Sequence, residues 1–282
     1  MISQVLPTRD GRGLYCRRLG ISPADTVPTV VFEAGLAGTC SYWAPVQTLV
    51  AQWAPTVSYD RSGLGLSAPD PEPRSLSRLA ADLGDLLDQL PAPFVLVGHS
   101  WGGLIVRLAA ATSGSRIAGL LLVDPSDEAC ELAFRPSTRR VDQLGQAANS
   151  VAARLGLLHL GFRSMLAALP PDARAAMRSN AFTTAAMRTR AAELAEVPAG
   201  LTMMRDYAPL LRDVPTTVVS AGRTSLGMSK SIRAAINGVH LYRASQSATG
   251  RHVYAQDSGH MIPTDQPALL AEEIRLLLGK VA

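Results

Sequence analysis

Cysteine is scarce in this sequence, at three in 282 residues. Cys16, Cys40 and Cys130 are odd in number and far apart, which argues against a disulfide scaffold and offers no metal-ligand spacing. That pattern suits a reducing compartment, so a cytoplasmic protein with no bound metal is expected. Long hydrophobic runs are missing as well. None approaches the ~20 residues a membrane span needs, and Met1-Ile2-Ser3-Gln4-Val5 lacks the basic start and apolar core of a secretion signal. No membrane partner is expected. Charge is close to balance, 27 Lys and Arg against 23 Asp and Glu, a net +4. Basic residues gather only in pairs such as Arg17-Arg18 and Arg139-Arg140, so nucleic acid is not implied as a partner. Gly63 and Gly65 have no third glycine at dinucleotide spacing, which leaves that stretch as a turn and gives no sign of a nucleotide cofactor. There is no internal repeat and no low-complexity linker.

What is present is apolar sequence cut into short pieces. At 47% hydrophobic residues the chain can bury a sizeable core, and its length predicts one domain with an insertion. Asp10-Gly11-Arg12-Gly13 between two short runs signals a hairpin and an antiparallel edge. Pro28 to Phe32, Thr56 to Tyr59, Pro93 to Val97, Ile117 to Val123, Thr216 to Ser220 and Arg251 to Gln256 have the length and β-branched content of buried strands. Leu76 to Leu90 places its apolar residues on one helical face, with Asp82, Asp85 and Asp88 off that stripe as a solvated face. Strand and helix in alternation mean a mostly parallel sheet of about eight strands, covered on both faces. From 126 to 213 the character changes to Ala, Leu, Met and Arg punctuated by Pro136, Pro170-Pro171, Pro198 and Pro209. This segment reads as several short helices forming a lid inserted into a core of residues 1–125 and 214–282.

The stretch with the clearest chemistry is Val95 to Gly103. Gly98-His99-Ser100-Trp101-Gly102 matches G-x-S-x-G, in which a strand turns sharply into a helix with a serine at the apex, and the flanking runs supply that strand and that helix. Glycine suits the turn because a Cβ at Gly98 or Gly102 would clash with the returning backbone. Together with the early Gly35 loop and the late Ser258-Gly259-His260, this order of elements resembles the α/β-hydrolase fold superfamily over essentially the whole chain. It is most similar to the small helical-lidded members, which include esterases, haloperoxidase-like enzymes and haloalkane dehalogenases. The resemblance implies Ser100 as nucleophile, His260 as general base, and an oxyanion hole made by the backbone N–H groups of Leu36 and Trp101.

Chemical reasons stand beside the resemblance. A serine hydroxyl needs an imidazole to take its proton and return it to the leaving group. His260 sits in a loop after the last strand, from which it can reach the turn. His252 is the alternative, and His99, His159 and His240 read as structural. The acid departs from the common pattern, because Val218 to Ser225 offers no carboxylate. Asp124, directly after Leu121-Leu122-Val123, holds the position some lidded members use, with Asp127, Glu128 and Asp257 as alternatives. Asp60, beside Arg61 and glycines, reads as a turn-stabilising residue.

These residues predict a serine hydrolase that cleaves an ester-like or related acyl bond through an acyl-enzyme, with no cofactor. A serine nucleophile argues against haloalkane dehalogenase or epoxide hydrolase chemistry, which needs a carboxylate there. Acyl transfer to peroxide, a cofactor-free lyase or oxygenase reaction, and a non-catalytic ligand receptor remain as other readings. The expected partner is a small molecule with an apolar part, since Met165, Leu166, Phe182, Met187, Met203, Met204 and Tyr207 are candidates to line a pocket. The sequence does not indicate an oligomeric state.

Overall fold

The strands are β1 (Ile2–Pro7), β2 (Gly13–Leu19), β3 (Thr29–Glu33), β4 (Thr56–Tyr59), β5 (Phe94–His99), β6 (Ile117–Val123), β7 (Thr216–Ala221) and β8 (Arg251–Ala255). They come from a computed structural model that describes residues 1–20, 27–207, 209, 211–225 and 227–279. They form one sheet in the order β1-β2-β4-β3-β5-β6-β7-β8. The pairs from β4 through β8 are parallel, while β2 runs antiparallel to both β1 and β4. The expected antiparallel edge is therefore present. Its turn closes with Thr8 N donating to Arg12 O at 2.8 Å and Gly11 in the left-handed region at φ +85°.

Helices α1 (Ala44–Val50), α2 (Leu76–Leu87), α3 (Gly102–Ser113), α9 (Lys230–Ser245) and α11 (Pro267–Leu278) cover the sheet, and the short α10 (Ile262–Asp265) precedes α11. The period of two along β5 decides which face each residue feeds. Phe94 and Leu96 pack into one core with α2 and α3, while Val95 and Val97 pack into the opposite core with α1 and α11. Both faces are apolar, so the central strands read as unbroken hydrophobic runs. No helix among the described residues is long and apolar enough to cross a membrane.

One expectation about α2 is overturned. Asp82 is not on a solvated face: it is 2% exposed and takes a two-pronged hydrogen bond from Arg12, at 2.6 and 2.9 Å. The hairpin turn lays that arginine across the helix, and a buried carboxylate is tolerated when a guanidinium reaches it. Asp85 and Asp88 pair with Arg9 at 2.8 and 3.3 Å.

Between β6 and β7 lie α4 (Pro136–Arg154), α5 (Leu158–Gly161), α6 (Arg163–Ala168), α7 (Pro171–Asn180) and α8 (Thr184–Asp206). Two of these are not short: α4 runs for 19 residues and α8 for 23, with Pro198 inside it. Proline removes one ladder hydrogen bond, but burial carries the helix past it. Two residues on, Gly200 lies so close to the Trp101 ring that a Cβ would come within 2.8 Å, and Leu201 and Met204 enter the core beside α2. Leu64, Ala153, Leu158, Ala186 and Met187 form a smaller core that joins these helices to the loop after β4.

Candidate active site

The reversal from β5 into α3 is made by Ser100 and Trp101. Ser100 holds φ +54°, a conformation that favours glycine, and the turn around it is crowded. A Cβ on Gly98 would come within 2.5 Å of the Gly102 carbonyl oxygen, and one on Gly102 within 2.6 Å of the Ala34 carbonyl oxygen. The strained residue is held from both sides. Ser100 N donates to Val123 O at 3.0 Å, and its carbonyl accepts from Gly103 N at 3.0 Å and Ser126 N at 2.9 Å.

At the end of β6, next to β5, Asp124 sits at φ +38° with its N–H donating to Val219 O at 2.7 Å. Its Oδ2 lies 2.7 Å from His260 Nδ1. Its Oδ1 accepts from Ala221 N at 3.1 Å and from Arg233 Nη1 at 2.7 Å. Burial alone would raise this carboxyl, but the His260 hydrogen bond, its charge, and those of Arg233 and His240 hold it well below the usual carboxylate range. The other acid candidates are engaged elsewhere. Asp127 accepts from Arg243 Nε at 2.7 Å, Glu128 accepts both Arg107 amino groups at 2.7 Å, and Asp257 meets Arg223 at 2.8 Å on the surface. His252 faces Ser220 Oγ at 2.7 Å rather than the turn.

His99, read from the sequence as structural, packs against the site. Its ring lies against that of His260, centroids 4.6 Å apart, and its Nε2 donates to the His260 carbonyl at 2.9 Å. Burial pulls His99 down to about 3, so it is neutral at physiological pH and keeps its proton on Nε2. It therefore fixes the backbone of the His260 loop from below.

The loop after β3 is pinned by a residue of the glycine-bearing turn after β4. Arg61 is 1% exposed and donates to the carbonyls of Ala34 and Gly35, each at 2.7 Å. The same guanidinium meets Glu33 Oε1 at 2.6 Å and both oxygens of Glu193, on α8, at 2.8 Å. Glu193 also accepts from Ala37 N at 3.3 Å, and Tyr59 hydroxyl donates to Glu33. Burial pushes the Glu33 carboxyl up, with Arg61 and Tyr59 opposing. Asp60 does hold the turn, accepting from Cys40 N at 2.7 Å and Leu66 N at 3.0 Å. Among the described residues, the non-glycine positions with positive φ are Ala37, Ser100 and Asp124. All three belong to this one region, and such strain costs of order 1–3 kcal/mol per residue unless its surroundings enforce it.

Gly35, Leu36, Ser100 and His260 open into one cavity of about 430 Å³. Met165, Phe182 and Met187 line it as the sequence suggested, joined by Leu158, Phe162 and Met177. Leu166 and Met204 are buried in the core instead, Met203 packs against it, and Tyr207 is 82% exposed. Helical spacing gave no way to tell the cavity side from the core side.

Comparison with known proteins agrees with this fold. The model of the alpha/beta hydrolase family matches residues 30–273. The chain belongs to that family. As an alpha/beta hydrolase it resembles protein YqjL of Bacillus subtilis, 31% identical over 100 residues, which is 35% of this chain and 40% of that one. It also resembles an AB hydrolase superfamily protein of Gibberella zeae, 32% identical over 107 residues, 36% of this chain and 33% of the other. The chain thus aligns with well under half the length of these curated relatives. Among solved structures, a thermophilic esterase from Thermogutta terrifontis superposes with a TM-score of 0.71 at 21% identity, covering 100% of this chain and 99% of the esterase. An enol-lactonase from Burkholderia xenovorans LB400 gives 0.68 at 20% identity, covering 98% and 100%.

Proposed function

We propose that this hydrolase is a serine enzyme that cleaves an ester-like or related acyl bond through an acyl-enzyme. The observation that carries the reading is the 2.7 Å contact between His260 Nδ1 and Asp124, beside a Ser100 held at φ +54° on the same cavity. A carboxylate on Nδ1 fixes the tautomer, so the proton sits there and the Nε2 lone pair is available to take one from Ser100 Oγ. The freed alkoxide adds to the scissile carbonyl, and the oxyanion that forms accepts from the N–H groups of Leu36 and Trp101. Among the described residues neither N–H donates to a protein acceptor. Imidazolium then returns its proton to the leaving alcohol, which departs as the acyl-Ser100 ester forms. Water, deprotonated by the same ring, releases the acid and restores Ser100. In this reading the helices α4 to α8 form the lid, and their apolar residues supply a site for the apolar part of the substrate.

The test is direct. A fluorophosphonate is expected to label Ser100, and Ser100→Ala should keep the far-ultraviolet circular dichroism while losing ester turnover by several orders of magnitude. Wild-type turnover in the folded variant would end this reading.

A further inference from the structure

One wall of the Ser100 cavity carries a cation that, among the described residues, has no ion-pair partner. Arg190, on α8, and Asp142 and Asn149, on α4, line the same cavity as Ser100 and His260. Arg190 Nη1 donates to Gln146 Oε1, and Gln146 is itself fixed by donating to Met187 O at 2.9 Å. Among the described residues no other acceptor meets this guanidinium, and no carboxylate oxygen lies within 4.0 Å of it. Arg190 is half-buried, and several more deeply placed arginines behave differently. Arg61, Arg107, Arg233 and Arg243 each meet a carboxylate at 2.6 or 2.7 Å. Even partial removal of a guanidinium from water is costly without such a partner, and the cost is offset when an anion arrives. Burial already pulls Arg190 down from its ordinary value, with Asp142 and Glu193 countering.

We propose that Arg190 is a substrate-binding residue that takes a free carboxylate carried by the substrate away from its scissile bond. This rests on the acyl-hydrolase reading above and narrows it: the substrate is a half-acid, an acyl compound with a carboxylate at one end and an apolar segment along Phe162, Phe182 and Met187. The fork of Arg190 presents its Nε and second amino group to two carboxylate oxygens, and Asn149 adds an amide on the same wall. A singly charged carboxylate fits better than a phosphate dianion. Among the described residues Arg190 supplies the one arginine charge on this cavity, and Asp142, on the same wall, repels a second negative charge.

Two measurements separate this subsite from the underlying reading. The first is turnover of 4-nitrophenyl esters of graded length whose far end is either a carboxylate or its carboxamide. A preference for the carboxylate at one chain length is expected. Arg190→Met should raise KM for that ester about tenfold or more, with kcat and the carboxamide series little changed, and Arg190→Lys should restore part of the loss. Asp142→Asn should increase the carboxylate preference. The second measurement is calorimetric binding of the corresponding dicarboxylic acids to Ser100→Ala protein, which needs no turnover. Binding that Arg190→Met removes sustains the subsite even if the esters are not cleaved. Equal handling of carboxylate and carboxamide, unchanged in Arg190→Met, with no Arg190-dependent binding, overturns it while leaving Ser100 chemistry intact.

Discussion

The two oxygens of Asp124 answer to different partners. Oδ2 holds His260, whereas Oδ1 is shared between the Ala221 N–H and the guanidinium of Arg233, whose side chain is 5% exposed. The guanidinium on the far oxygen helps to hold the carboxylate where Oδ2 meets His260. Arg233→Met removes that restraint. If the proposed Ser100 chemistry is right, kcat is then expected to fall about tenfold or more with KM little changed, because the imidazole is held less firmly. An unchanged kcat in the folded variant would show that Arg233 serves packing alone. Asp124 itself was legible, because a carboxylate directly after a buried apolar strand stands out. Arg233 was not, since nothing about an arginine in a helix after β7 marks the carboxylate it will meet 109 positions away.

At the scale of elements, the union of α8 with the loop after β3 is the feature the sequence concealed most fully. Glu193 is 0% exposed and reaches across to Arg61, which in turn grips the carbonyls before Leu36. Removing one member of a buried ion pair costs about 3–5 kcal/mol, because the other charge is left uncompensated. Glu193→Ala is therefore expected to lose stability on that scale, and Glu193→Gln less, since it keeps an acceptor. Because Glu193 also takes the Ala37 N–H, both variants should lower kcat more than they raise KM, which denaturant unfolding and steady-state kinetics on one preparation would resolve. A larger effect on KM would place the ion pair in substrate binding instead. The helices themselves were partly legible. Pro136 and Pro171 do begin α4 and α7, where a missing N–H costs nothing, but Pro198 was read as a break because propensity cannot register the packing of Gly200 on Trp101.

Over the whole molecule the sheet was the most legible part, since buried parallel strands are short apolar runs and their order follows from right-handed connections. The buried polar interior was not, and it governs how the fold meets acid. His240 is 1% exposed, with Nδ1 at 2.8 Å from Ser220 Oγ and Nε2 donating to Pro125 O at 2.9 Å. Two forces compete over its charge. Burial disfavours the imidazolium, while Asp124 Oδ1 at 3.8 Å favours it, and Arg233 on that same oxygen weakens the attraction. Burial wins, so His240 falls below the ordinary 6.5. The sign follows: as pH drops through 6.5 the unfolded chain takes up a proton that the folded chain refuses, and stability falls with it. Each such histidine contributes a slope of about 1.4 kcal/mol per pH unit below that point. Glu33 and Asp60, raised by burial, act in the opposite sense lower in the range, so the wild-type curve alone mixes the two. Comparison with His240→Gln isolates the histidine, because glutamine offers an amide to Ser220 and Pro125 and does not titrate. Urea unfolding midpoints from pH 7.5 to 5 should show the wild type losing ground against the variant as acid is added. Parallel curves would mean that Asp124 fully offsets burial, so that His240 takes up its proton equally in the folded and unfolded chain, and a wild type that gains on the variant would mean that Asp124 outweighs burial.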